Sequence, residues 1–273
     1  MEELEPVKDL NGEERRCGSL PIPEGYVCSV PTFEAAFANM MLERADVLKL
    51  VRDPNRVPAR IKFGAKFIQN QQSHGSCNGH LVAGVVSRLR FRRGLGVLKL
   101  SGAYPYSKMN GGRDNGSLLA DGIEVAKTYG LPPESLVPWN QIYPRQQPSN
   151  ADAEAAKIKG LEPSSRITTR QGLETALALQ MDVGVAVHVG NSYMRLDGKG
   201  VSGIDGGPGN HAVVCDDLYE EGGDLVYDQP NSWGLAWGQE GHTKLRWEHF
   251  AQTINNHVFY TFRSTLETED KTP

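Results

Sequence analysis

The sequence of 273 residues holds only four cysteines, Cys17, Cys28, Cys77 and Cys215, and no two of them form a Cys-x-x-Cys pair. Thiols so far apart exclude the dense disulfide framework of a small secreted domain and the ligand spacing of a structural zinc site. Long apolar runs are also scarce. None approaches the ~18 residues of a membrane-spanning helix, and Met1-Glu2-Glu3-Leu4-Glu5-Pro6 lacks the basic-then-apolar order of a signal peptide. There is no excess of charge of either sign: 29 Lys and Arg stand against 33 Asp and Glu, a net −4, so neither nucleic acid nor a membrane surface is expected as a partner. What is present is 39% hydrophobic residues over a length between one and two domains at about 150 residues each, enough for a sizeable core.

Residues 1–31 are rich in charge, proline and glycine, and Leu20-Pro21-Ile22-Pro23-Glu24-Gly25 reads as an extended, poorly structured arm. From Thr32, a capable N-cap, Phe33, Phe37, Met40, Met41, Val47, Leu48 and Val51 recur at helical spacing and predict one amphipathic helix over about 32–52. A second helix is expected from Ser76 or Cys77 to about Arg93, with Arg88, Arg90, Arg92 and Arg93 read as a solvated end that complements the helix dipole. Two more are expected over 118–129 and 171–181. Beyond residue 182 the pattern turns to strands, at 183–189, 211–215, 224–228, 244–247 and 258–262, with six glycines in the loop from Gly198 to Asn210. Asp216-Asp217 and Glu220-Glu221 read as a solvated acidic turn, and Trp139 and Tyr104-Pro105-Tyr106 as packing and turn residues. The fold class is α+β, in two lobes with a cleft between a helical first half and a β-rich second half.

Cys77 stands where the loop Ser73-His74-Gly75-Ser76 meets the start of a helix. Free N–H groups and the positive end of a helix dipole favour an anion there, so a thiolate is chemically reasonable; a small buried hydrophobe is the equal alternative. A thiolate nucleophile needs an imidazole to exchange its proton and a further group to fix that ring. His211, at the head of an apolar strand, and Asn231, opening Asn231-Ser232-Trp233-Gly234, lie downstream at distances that suit such a set. His242, His249 and His257 do not have the spacing of a metal site, and neither a metal nor a cofactor is expected.

With these residues in view, the chain resembles the papain-like (C1-type) cysteine peptidases over roughly 55–265. Asn70-Gln71 before Cys77, Asn210-His211-Ala212-Val213, and Asn231-Ser232-Trp233-Gly234-Leu235-Ala236-Trp237-Gly238-Gln239-Glu240-Gly241 match the family's three motifs, the last almost position for position. The resemblance implies a papain-like two-lobed fold and a cysteine-type endopeptidase acting on peptide or protein substrates. Cys77 would be the nucleophile, resting as an ion pair with His211. Asn231 would orient the imidazole, Gln71 would help form the oxyanion hole, and Trp233 would shield the His–Asn bond. Asn115-Gly116-Ser117 resembles the wall that pairs with an extended substrate, which makes Gly116, Ser117 and Asn210 substrate-binding candidates. The sequence departs from the family at His74, where a disulfide cysteine stands, at Asn78, where an aromatic stands, and at Ser117 in place of glycine. Cys215, in mid-strand, reads as structural.

The chain then divides into an N-terminal extension (1–54), a peptidase domain (55–265) and a polar tail (266–273). The resemblance extends to short bacterial and tailed-phage members, so a cytoplasmic or virion-associated protein is expected. A second reading keeps the fold as a structural or binding component of a larger assembly such as a virion, joined through the extension, with catalysis incidental or lost. A third, a transglutaminase or amidase chemistry, uses the same Cys-His logic.

Overall fold

In the computed structural model, which describes residues 5–9, 11–159 and 161–264, a short antiparallel hairpin comes first: β1 (Val7–Lys8) with β2 (Glu14–Arg15). The polar tail expected over 266–273 lies outside the described residues. The hairpin turn is held by Asp9, whose Oδ1 accepts from the backbone N–H groups of Asn11 and Glu13 while Oδ2 meets the buried Arg15 guanidinium. The first half continues with α1 (Phe33–Ala36), α2 (Arg44–Val51), α3 (Ala59–Phe63), α4 (Cys77–Arg92), α5 (Ala103–Met109), α6 (Leu119–Thr128) and α7 (Ala151–Ala155). The second half runs β3 (Leu161–Ile167), α8 (Arg170–Ala178), β4 (Val183–Val187), β5 (His211–Cys215), β6 (Asp217–Glu221), β7 (Asp224–Pro230), β8 (His242–Leu245), α9 (Trp247–Ala251) and β9 (Phe259–Ser264). Antiparallel pairing gives one sheet in the order β3-β9-β4-β5 and another in the order β6-β7-β8.

Two apolar cores meet at β5. Because side chains alternate along a strand, Ala212 and Val214 join Leu81, Val82 and Val85 of α4 in the helical core, while Val213 and Cys215 join Val185, Leu218 and Tyr227 in the sheet core. Both faces of β5 are therefore covered, which is why its sequence is apolar from Ala212 to Cys215 instead of alternating. The arrangement is α+β, with a helical N-terminal part and a β-rich C-terminal part.

Several local expectations give way to tertiary contacts. The single helix over 32–52 is divided: Thr32 caps α1 as read, but the chain opens at Phe37 and is extended at Met41 and Glu43 before α2. There the Leu42 N–H donates to Thr175 Oγ1 and the Gln171 amide donates to the Leu42 carbonyl, bonds to α8 that a continuous helix could not make. The described part of the arm, residues 5–9 and 11–31, is held by contacts to the rest of the chain, and its course is given with the site below. Arg88 is not solvated. It lies buried between Asp182 and Asp216 with its guanidinium 4.0 Å from the centre of the Phe63 ring, while Arg92 donates to the Gln180 carbonyl at 2.6 Å. Asp216 and Asp217 of the acidic turn are buried as well, Asp217 taking the guanidinium of Arg56 and the N–H of Ala59, while Glu220 and Glu221 are only half-buried. Burial raises the Asp216 carboxyl to about 7 against the opposing pull of Arg88. The segment read as a strand at 244–247 passes into α9, and Tyr104-Pro105-Tyr106 is helical.

Candidate active site

Cys77 opens α4, preceded by the loop that begins at Gln71. Gln72 takes a left-handed conformation, φ 53°, stabilised by its N–H bond to Asn70 Oδ1, and the loop is held against the second half of the chain. The Gln71 N–H donates to the Ser232 carbonyl at 2.8 Å, and the Gly234 N–H donates to the Gln69 carbonyl at 2.9 Å. Gly234 has φ 77°, and a Cβ there would stand 2.8 Å from the Asn70 side-chain nitrogen, so only glycine lets the two segments close on each other.

These contacts bring Gln71, Cys77, His211, Asn231 and Trp233 into one place. Cys77 Sγ accepts from the N–H of Ala212 at 3.5 Å, next in chain to His211. The His211 ring bonds through Nε2 to Asn231 Oδ1 at 2.9 Å, and its Nδ1 is buried with no hydrogen-bond partner among the described residues. Trp233 lies over the imidazole with ring centres 4.8 Å apart and planes 24° apart, and Trp237 and Tyr193 back the indole in turn. Asn231 Oδ1 also accepts from the Ser232 N–H at 2.7 Å, which fixes the carbonyl side of the amide toward the histidine.

The substrate-wall candidates line the same cleft, and the N-terminal arm occupies it. The Gly18 carbonyl accepts from the Ser117 N–H at 2.8 Å, and the Leu20 N–H donates to the Ser117 carbonyl at 3.0 Å, a parallel bridge centred on Ser19 and Ser117. The Ser19 N–H donates to the Asn210 carbonyl at 2.9 Å. Gly116, with φ 80°, passes so close that a Cβ would stand 2.5 Å from the Gly18 carbonyl oxygen. Gln71 Nε2 donates to the Arg16 carbonyl at 2.9 Å and to the His74 carbonyl at 2.6 Å. An amide expected to receive a reaction oxyanion thus holds a carbonyl of the chain itself.

Burial sets the electrostatics of the site. Burial pushes the Cys77 thiol up, outweighing the N–H groups of Ala212, Gly18, Asn78 and Cys77 itself that pull it down. Burial lowers His211 to about 4, with the Asn231 bond acting the other way. Both shifts oppose the ion pair that the resemblance implied and favour the neutral thiol and imidazole. Cys17 is carried into the same region, where burial pushes its thiol well up, with proximity to Cys77 adding to the shift.

Other contributing residues escaped the sequence reading. Ser232 donates from Oγ to Gln71 Oε1 at 2.6 Å, and Tyr106 and Asp114 meet beside the wall. Asp114 directly precedes Asn115-Gly116-Ser117, and that adjacency is the one sign that could have flagged it. Asn78, read as a departure affecting helix packing, donates to the Ser117 carbonyl at 2.6 Å and so braces the wall. No cluster of three or more metal-ligating side chains exists among the described residues.

A family model described as papain family cysteine protease matches residues 54–262. The oryzain beta chain of Oryza sativa subsp. japonica is 25% identical over 197 residues, 70% of this chain and 42% of the relative. A KDEL-tailed cysteine endopeptidase of Arabidopsis thaliana is 28% identical over 200 residues, 71% of this chain and 55% of the relative. The chain thus spans about half the length of the curated relatives it matches. Among solved structures, xylellain, a cysteine protease from Xylella fastidiosa, aligns with a TM-score of 0.61 at 21% identity, covering 92% of this chain and 96% of that one.

Proposed function

Because the chain belongs to the papain family of cysteine proteases, we propose that it hydrolyses internal peptide bonds of protein substrates through Cys77, His211, Asn231 and Gln71. The supporting observation is the convergence of four groups: the Cys77 sulfur on the Ala212 N–H, the His211–Asn231 bond under Trp233, and the Gln71 amide aimed into the cleft. With the arm withdrawn, water reaches the thiol and the imidazole, and the burial that keeps both neutral is relieved. His211 then takes the thiol proton, and the thiolate attacks a substrate carbonyl carbon. The carbonyl oxygen becomes an oxyanion received by Gln71 Nε2 and the Cys77 N–H.

Collapse of that intermediate breaks the C–N bond while the imidazolium gives its proton to the departing amine, leaving an acyl group on sulfur. A water molecule, deprotonated by His211, attacks the thioester, and the carboxylic acid leaves as the thiolate is regenerated. Asn231 holds the ring for both transfers, and Trp233 keeps water from competing for that bond. Ser117 and Asn210 offer the substrate the backbone groups that the arm now uses, and Gly116 gives it room to approach the wall. A mixed peptide library tests the reading: cleavage by the chain, absent in Cys77→Ala, supports it, and cleavage unchanged in Cys77→Ala refutes it.

A further inference from the structure

Gln71 can serve as an oxyanion donor only if its amide points into the cleft, and that direction is set at both ends. Ser232 Oγ holds Oε1 at 2.6 Å, and the His74 carbonyl takes one Nε2 hydrogen at 2.6 Å, which leaves the other directed at the Arg16 carbonyl. The His74 carbonyl belongs to the loop Ser73-His74-Gly75-Ser76, which has one backbone turn bond of its own, from the His74 N–H to the Gln71 carbonyl at 3.2 Å. The side chain that ties the loop to its surroundings is Asp114, directly before the substrate wall. Its Oδ1 accepts from the Gly75 N–H at 2.9 Å and from the Tyr106 hydroxyl at 2.6 Å, and its Oδ2 faces His74 Nδ1 at 3.2 Å.

The Tyr106 hydroxyl in turn accepts from the Gly116 N–H at 3.0 Å, so one carboxylate ties the nucleophile loop, α5 and the substrate wall together. The Arg16 guanidinium stands 3.9 Å from Oδ2, and the Trp139 ring packs on His74 at 5.6 Å between centres. Asp114 is 12% exposed. Its carboxyl is held below the usual carboxylate range: bonds from His74, Tyr106 and Gly75 outweigh the opposing effect of burial, the largest single influence.

We infer that Asp114 is a positioning residue for the proposed peptidase reaction, holding the His74–Gly75 segment so that the Gln71 amide meets the oxyanion. The inference rests on the peptidase reading. It predicts a loss confined to reactions that build an oxyanion. Peptide hydrolysis does; alkylation of Cys77 by iodoacetamide, a displacement at carbon with iodide leaving, does not. The ratio of the two rates cancels any change in how far the arm exposes Cys77.

In the full chain, Asp114→Ala lowers that ratio about tenfold or more, with KM little changed, since a misplacement of about 1 Å in a reacting group costs up to about a hundredfold. Asp114→Asn keeps an acceptor oxygen for Gly75 and Tyr106 and retains the ratio within about threefold. Tyr106→Phe, which removes one hydroxyl, covers the case in which Asp114→Ala fails to fold, and its ratio falls to an intermediate value. An unchanged ratio in a folded Asp114→Ala or Tyr106→Phe protein overturns the role, as does an equal loss of hydrolysis and alkylation. A parent chain whose Cys77 is alkylated but which shows no Cys77-dependent hydrolysis overturns the peptidase reading and this role together, whereas an active parent with a fully active Asp114→Ala overturns this role alone.

Discussion

Replacing Gly18 by alanine adds one carbon where there is no room for it. A Cβ on Gly18 would stand 1.9 Å from the carbonyl oxygen of Gly75 and 2.6 Å from its carbonyl carbon. These are backbone atoms, and the Gly75 N–H is anchored on Asp114, so the nucleophile loop cannot step aside; the arm must lift. Lifting costs the bonds Arg16 carbonyl to Gln71, Gly18 carbonyl to Ser117, Ser19 N–H to Asn210 and Leu20 N–H to Ser117. At about 1 kcal/mol net for each, the closed form loses about 4 kcal/mol, equivalent to about a thousandfold change in the closed-to-open ratio. The observable gain is capped once every molecule is open. The assay pairs kcat/KM for peptide hydrolysis with the second-order rate of iodoacetamide alkylation at Cys77. Both are expected to rise together by about tenfold or more in Gly18→Ala, and to stay at the parent value in Gly198→Ala, where an added Cβ meets nothing within 4 Å. Unchanged alkylation in a folded Gly18→Ala protein would falsify the claim that the arm shields the thiol.

Asn231→Ala removes the acceptor that fixes the His211 ring, and kcat is expected to drop by up to about a hundredfold, with Asn231→Asp, which keeps an acceptor oxygen, retaining more activity. Arg88→Ala leaves Asp182 and Asp216 buried without their shared cation. Such a loss costs about 3–5 kcal/mol, about a 10 °C fall in Tm for a chain of this size, and calorimetry reading less than about 2 °C would contradict the buried-pair account. Acid weakens the fold through its buried imidazoles. Burial lowers His80 to about 3 and His211 to about 4, each from 6.5. Below about pH 6.5 the unfolded chain binds protons that the native imidazoles refuse, so stability falls with pH by about 1.4 kcal/mol per unit for each, down to those native values. Urea titrations from pH 7 to 4 check the slope, and His80→Gln should make it shallower; an equal slope would remove His80 from the account.

The strong periodicities carried over into the structure almost unchanged. Helix α4 and strand β5 have the residues read for them within one position at most, because a fully buried element leaves tertiary contacts little to alter. Cys77, His211, Asn231 and Gln71 were legible as a set because three motifs far apart in sequence each carried one or two of them. Local reading failed where a partner was remote. Arg88 and Asp216 look solvated one at a time, and only the packing of α4 on the end of β5 makes them a buried pair. The helix over 32–52 is interrupted by two bonds to α8 at Leu42 that no local pattern announces. The same holds for the arm: Arg16-Cys17-Gly18-Ser19-Leu20 has no helical or strand periodicity, and its order comes from Gln71, Ser117 and Asn210. Burial also opposes the thiolate that the helix terminus implied for Cys77.

An acyl-enzyme on Cys77 is the intermediate that the proposed chemistry cannot avoid. Gly18→Ala protein mixed with an activated peptide ester, quenched in acid within the first turnover and analysed by intact mass and peptide mapping, would reveal it. The account predicts a mass increase equal to the acyl group, located on Cys77 and absent from the protein that also carries Cys77→Ala. Ester hydrolysis that persists in that double variant, or an acyl group found on Cys17, Cys28 or Cys215 instead, would contradict it.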